Sequence, residues 1–291
     1  MNFKSYLALA NNPQERVAHY QDMVRQYFDF VTDHYRRGWG ESFHFGVFRG
    51  DESIADAVMG VEALLMQALD IRQGMRVLDV GCGIGGPARN IARKSGACIT
   101  GLNISEKQLD IARHRTAEAG LTHLIDYQLG DAMDMPFEDS SFDAIYILEA
   151  GCHMPDKRAF IAECARVLKA DGAIASVDWA QASGLTDAEV ATYIEPILRL
   201  HAVPHLATLE ELHEYLEAAN LHVITVENLS NHGNILRNWE VLQPKVIAAL
   251  KVVGWVRPVI RMLADGALFL MDAARAGAFI LAFWHAVKSQ I

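Results

Sequence analysis

The chain has 291 residues, 51% hydrophobic and 21% charged, enough for a full core in one large domain or a domain with a cap. Its formal charge is −10 and no long Lys/Arg run occurs, so it lacks the basic face that nucleic acid requires. Four cysteines, Cys82, Cys98, Cys152 and Cys164, form no C-x-x-C pair, and neither a disulfide framework nor a metal centre is expected.

The charge is uneven. From Arg237 onward seven Lys/Arg stand against three Asp/Glu, in a stretch rich in Leu, Phe, Trp and Met. The opening "MNFKSYLALANNPQE" has an apolar core too short for a secretory signal. The longest uncharged apolar stretch near the end, 276–287, falls short of the roughly 20 residues of a spanning helix. A cytoplasmic protein under reducing conditions is expected.

Residues 14–37 place Val17, Tyr20, Val24, Tyr27, Phe28, Val31 and Tyr35 at helical spacing, with Gly38 as a stop. The aromatic loop "YRRGWGESFHFGVFRG" follows. A second helix is capped by Ser53 and turns Ile54, Val58, Val61, Leu64 and Leu65 inward. Strands and helices then alternate. Strand 77–80 leads to a helix from about 86. Strand 98–102 leads to a helix over 106–119, with Ser105 and Gln108 as its capping box. Strands near 126–129, 142–148 and 173–178 continue the series, with "MPDKRAFIAECARVLKADG" as the helix between the last two. This alternation predicts a parallel α/β sheet with right-handed crossovers. "TLEELHEYLEAAN" is another helix, boxed by Thr208 and Glu211, and "LHVITVENL" is a strand. Residues 230–277 interrupt the pattern with helical, apolar, basic sequence, a natural place for a lid. "GAFILAFWHAVK" reads as the final strand.

The sharpest local signal is "VLDVGCGIGGPARNIA". A nicotinamide site wants G-x-G-x-x-G, but the spacing here, Gly81, Gly83, Gly85 and Gly86, is compressed. Asp79 sits at the strand end two residues before the first glycine. A carboxylate there repels pyrophosphate but suits an ammonium group, and the glycines admit a close backbone approach. S-adenosylmethionine carries an ammonium, a sulfonium and no phosphate. At the next strand end "GLNIS" places Asn103, where a ribose-binding group is expected. At the third, "GDAMDMPF" places Asp131, fit to accept from an adenine amine, with Ala132 beside it. Ligands of open parallel sheets bind at these carboxyl ends.

Taken in order, "LDVGCGIGGPARNIA", "GLNIS", "GDAMDMPFEDSSFDAIYILEA" and "RVLKADG" resemble the class I S-adenosylmethionine-dependent methyltransferases, over about residues 73–180. A narrower resemblance is to the sterol side-chain (24-C) methyltransferases. It rests on the aromatic segment from Tyr35 to Phe45 and on "EAGCHMPDK" from Glu149, with Gly151 and Met154 as departures. The tail lacks that family's Thr-Pro pair, which leaves the acceptor open more than the reaction. The resemblance implies a Rossmann-like seven-stranded sheet with its last strand antiparallel. Residues 1–72 would form an N-terminal helical cap, 73–180 the cofactor-binding core, and 181–291 the rest of the sheet with the insertion. It implies cofactor contacts from Asp79, Gly81, Gly83, Asn103, Ile104, Gln108, Asp131 and Ala132. Tyr35 and Glu149 would lie near a reacting alkene, with Trp39, Phe43 and His44 lining its pocket.

Those residue types suit alkene methylation. The alkene becomes a carbocation on attack, so a site needs dryness, aromatic faces and a late base. Glu149 could be that base, alone or through His153, or could hold the cofactor ammonium; His153 could instead cap the next helix. The aromatic segment could equally be core packing. The expected acceptor is an isoprenoid or sterol-like lipid. N- or O-methylation of a small molecule, and a non-catalytic cofactor-binding or lipid-carrying protein, stand as rivals. Peripheral membrane contact, suited by the basic tail, and homo-oligomerisation are both left open.

Overall fold

The computed structural model describes residues 3–241 and 258–290. Its centre is a seven-stranded sheet in the order β3-β2-β1-β4-β5-β7-β6. The strands are β1 (Arg76–Val80), β2 (Cys98–Asn103), β3 (Ile125–Leu129), β4 (Phe142–Leu148), β5 (Leu168–Gln181), β6 (Leu221–Asn228) and β7 (Phe279–Lys288). The first five pair in parallel, and β7 runs antiparallel to both neighbours. The expected class I methyltransferase sheet is therefore present, last strand included.

Alternation of side chains builds two cores. Val77, Tyr146, Ala175 and Leu281 face one side, with Leu65 of helix α4 (Ile54–Ala68), Ile91 of α5 (Gly86–Ser95) and Leu109 of α6 (Glu106–Glu118). Leu78, Ile145, Ile147 and Ala282 face the other, against α7 (Lys157–Val167) and α10 (Leu209–Ala218). A third cluster joins α1 (Phe3–Ala10) to α3 (Tyr20–Gly38) through Tyr6, Met23, Tyr27 and Val31.

Several local signals read as expected. Ser53 accepts from Asp56 N–H, and Thr208 and Glu211 form a reciprocal box. Others differ. The helix expected over 14–37 is broken at His19 into α2 (Pro13–Ala18) and α3. Arg16 on α2 is thereby buried, bonded to the Ala10 carbonyl and to Glu195. Ser105 accepts from Gln108 N–H, but the Gln108 side chain turns inward to Asn103 and Thr32 rather than back to the cap. Residues 168–171 continue β5 rather than the helix before it, because Leu168 pairs with Phe142 across an irregular register. Between β5 and β6, a π-helical turn (Val190–Ile194) separates α8 (Asp187–Glu189) from α9 (Glu195–Leu200).

The insertion before β7 ends in α11 (Pro258–Arg275). Of the apolar residues expected to make it a lid, Val252, Val253 and Trp255 lie outside the described residues, whereas Val259, Ile260, Leu263, Leu268, Phe269 and Leu270 lie on α11. Among the described residues no helix is long and apolar enough to cross a membrane.

Candidate active site

The carboxyl ends of β1, β2, β3 and β4 open into one cleft. Gly81, Gly83, Asn103, Ile104, Gln108, Asp131 and Ala132 all line it, with Phe43, Glu149 and His153. Seven of the eight expected cofactor residues thus meet at one place. The loop after β1 is left-handed at Gly81 and Gly83, φ +73° and +54°, and a Cβ on Gly83 would meet nothing within 4 Å. A Cβ on Gly81 would sit 2.3 Å from that of Ala150, the residue after Glu149. Gly81→Ala is therefore expected to destabilise the fold by roughly 2 kcal/mol, from overpacking plus left-handed strain. Chemical denaturation checks this, and an unchanged midpoint would show that the loop yields freely.

Asn103 donates to Gln108 Oε1 at 2.8 Å and accepts from Ile104 N–H at 2.9 Å. Asp131 is engaged on both oxygens. Oδ1 takes Met133 N–H at 2.9 Å, while Oδ2 takes the Tyr20 hydroxyl and the Gln21 amide. Tyr20, Val24 and Phe28 bring α3 over the cleft as its roof. Asp79 is the eighth residue and stands apart. It is buried beneath the loop, outside the cleft lining, and its Oδ2 has no hydrogen-bond partner. Burial pushes its pKa up to about 7, against the lowering effect of the neighbouring Tyr146 hydroxyl. A buried carboxylate with one unpartnered oxygen beside a glycine loop fits a ligand with an ammonium group.

A second, larger cavity adjoins the cleft, with a volume of about 330 Å³ against about 70 Å³. Tyr35, Trp39, Phe43 and His44 line it, joined by Trp179, His201 and Trp239 and roofed by Leu263, Leu268 and Met271 of α11. Its wall is largely aromatic and apolar. Phe45 stacks on Trp179 at 5.6 Å and meets Trp239 edge-on at 4.7 Å. Phe43 packs edge-on against Tyr35. The Tyr35 hydroxyl bonds to Tyr27, and Tyr27 to His201 Nδ1 at 3.1 Å. Burial raises Tyr35 to about 12 and lowers His201 to about 4, so both are neutral.

Glu149 and Phe43 belong to both cavities. Glu149 is 9% exposed and held in a left-handed backbone, φ +49°. Its N–H reaches Val177 O, while Asp178 accepts from the N–H groups of Gly151 and Cys152 just beyond. Its carboxylate takes Phe45 N–H at 2.5 Å and Trp179 Nε1–H at 2.6 Å. Burial raises its pKa to about 7, with the charge of His44 and the two donors pulling the other way. A carboxyl poised there can take a proton at neutral pH.

His153 lines the cleft, but its Nδ1 lies 3.0 Å from the Ala202 carbonyl, and burial lowers it to about 4. It does not cap the next helix. Asp156 does so, accepting from Ala159 N–H.

Sequence reasoning missed Trp179, Trp239, His201 and the α3 roof. Trp179 was findable: it follows strand 173–178 at its carboxyl end, the position rule that picked out Asn103 and Asp131. Trp239 and His201 carry no such signal, since they lie on connections whose path the alternation does not fix.

Residues 78–176 match the family model described as a methyltransferase domain. Cycloartenol-C-24-methyltransferase of Arabidopsis thaliana is 44% identical over 168 residues, 58% of this chain and 50% of that protein. The chain spans about half the length of the curated relatives it matches. Among solved structures, the [4+2]-cyclase SpnF superposes with a TM-score of 0.77 at 27% identity, covering 92% of this chain and 95% of that one. Geranyl diphosphate methyltransferase in complex with GPP and sinefungin gives 0.74 at 18% identity, covering 92% and 99%. Sheet order, glycine loop and domain match together give residues 78–176 the arrangement of a class I methyltransferase domain. The chain's relatives in sequence include sterol C-24 methyltransferases.

Proposed function

We propose that the chain is a C-methyltransferase acting on an alkene carbon of an isoprenoid or sterol-like lipid. The observation that carries this reading is the position of Glu149, a wall shared by the strand-end cleft and the apolar aromatic cavity. Asp79 and the loop from Gly81 to Gly83 would hold the amino-acid end of the cofactor, Asn103, Ile104 and Gln108 the ribose, and Asp131 and Ala132 the base. When bound, S-adenosylmethionine supplies an electrophilic methyl group.

The chain's own residues do the rest. Tyr35, Trp39, Phe43 and Trp179 exclude water and face the acceptor with π-systems, each worth roughly 0.5–2 kcal/mol to a desolvated cation. Holding the alkene in line contributes several kcal/mol more. Glu149 then takes the proton that the acceptor cation sheds, which sets the new double bond. His153, neutral and tied to a backbone carbonyl, fits a packing role beside Glu149 better than a relay. The names of the sequence relatives support a sterol-like acceptor, and the apolar lining supports a lipophilic one. The Lys/Arg excess of the sequence from Arg237 onward suits an acceptor collected at an anionic membrane surface.

SpnF carries the same fold and is a [4+2]-cyclase, so retention of the cofactor site without methyl transfer is the competing reading. Incubation with methyl-labelled S-adenosylmethionine and a panel of cycloartenol, a linear prenyl alcohol, a linear prenyl diphosphate and a small amine separates them. Label in an alkene-bearing lipid is expected. Label in the amine alone overturns the acceptor, and cofactor binding without transfer to any acceptor overturns the reaction.

A further inference from the structure

Glu62 lies on α4, outside every sequence motif singled out above, yet it is 1% exposed. Its carboxylate gathers three partners from two other parts of the chain. Ser42 Oγ–H donates to it at 2.7 Å, and Asn90 Nδ2 on α5 at 2.9 Å. His44 Nε2 faces it at 3.5 Å. The other imidazole nitrogen, Nδ1, faces the Phe45 carbonyl at 3.1 Å. Nδ1 can donate to that carbonyl, while Nε2 makes no hydrogen bond and lies at ion-pair distance from Glu62, a setting that favours the imidazolium. The backbone flanking this imidazole is pinned as well. Trp39 Nε1–H donates to His44 O, and Phe45 N–H donates to Glu149.

We infer that Glu62 is a positioning residue for Glu149: through His44 it fixes the aromatic segment that donates to the Glu149 carboxylate, and it keeps a cation beside that carboxylate. The inference rests on the reading of Glu149 as the late base. Four side chains face Glu149 electrostatically: His44 from the segment, Tyr35 from α3, Cys152 from the turn after β4, and Asp178 from β5. His44 is the one basic group among them. Glu62 itself is faced by His44, by Asp79 on β1 and by Tyr146 on β4. Burial works against the His44 imidazolium, but Glu62 holds its pKa above the ordinary histidine value; the donors around Glu62 hold that carboxyl below the ordinary glutamate range. Loss of the Glu62 charge removes the reason for the His44 charge, and Glu149 then ionises at higher pH.

The test is the pH–rate profile of Glu62→Gln against wild type, with amide exchange at Phe45 as a second readout. The alkaline-rising limb is expected to move up by about one pH unit, equivalent to about a tenfold loss on that limb. Activity should recover at high pH, and KM for the cofactor should stay within about twofold. The Phe45 amide should exchange faster. Glu62→Asp, which keeps the charge, should return the limb toward wild type. His44→Gln should give the same displacement if Glu62→Gln fails to fold, and the double variant should add nothing. Activity depressed evenly at every pH, with the limb unmoved, overturns the proposal. Titration of the Glu149 carboxyl by carbon-13 NMR separates this from failure of the base reading. A moved titration with no effect on turnover keeps the positioning role and removes the base, whereas an unmoved titration removes the positioning role.

Discussion

Glu149→Gln is expected to lower turnover by about 10²- to 10⁴-fold, the range typical of a lost general base, while cofactor affinity changes less than about threefold. Glutamine keeps the shape and one acceptor for Phe45 N–H or Trp179 Nε1–H, but cannot take a proton. In the wild type, Glu149 is raised to about 7, so the rate should climb with pH through that value as the carboxylate forms. The variant's residual rate should be flat there. Stability carries a second signature. A carboxyl whose folded pKa lies above its unfolded value favours the protonated fold. Its contribution is full below about 4.5 and is lost as pH rises toward 7, by a few kcal/mol. Relative to wild type, the glutamine variant should therefore gain stability across that window in thermal melts. A parallel collapse of cofactor affinity would make Glu149 a cofactor ligand instead, and normal turnover would discard both roles.

Asp79→Asn is expected to weaken S-adenosylmethionine binding tenfold or more, about 1.4 kcal/mol per decade. The wild-type carboxyl is raised to about 7 by burial, and its Oδ2 is unpartnered, so an incoming ammonium would ionise it. Binding should then release a proton near pH 6 to 7, and affinity should rise with pH through that range. Calorimetry in two buffers of different ionisation enthalpy reads the released proton directly. Asp79→Asn should abolish the buffer dependence along with the affinity. Unchanged affinity in a folded variant would remove Asp79 from the site.

Much of the site was legible because the parallel sheet converts sequence order into spatial order. Once β1 to β4 are recognised, the residues just past each carboxyl end must share one cleft, and Asn103, Asp131 and Glu149 do. The glycine loop was legible because its left-handed positions tolerate little else. The aromatic segment from Tyr35 to Phe45 was placed near the site by resemblance, and the structure puts Tyr35, Trp39, Phe43 and His44 on one cavity. Other features were illegible for equally physical reasons. Helical periodicity runs unbroken across His19, so the break that buries Arg16 leaves no mark in the pattern. The inward turn of Gln108 needs Thr32, 76 residues away, as a partner. Glu62 reads as one polar position on an amphipathic helix, and its burial depends on three groups brought together only by folding.

The roof over the cleft bears on time rather than strength. Tyr20 and Gln21 already hold Asp131, and Val24 and Phe28 lie beside them over the strand ends. A nucleoside bound at Asp131 would meet the two donors already there, and would enter and leave past α3. Contacts of that kind would slow association and escape together, lengthening the stay of a bound molecule without tightening its equilibrium. Residence time in this cleft would then be set by residues 20–28, about a hundred positions upstream of the aspartate they cover.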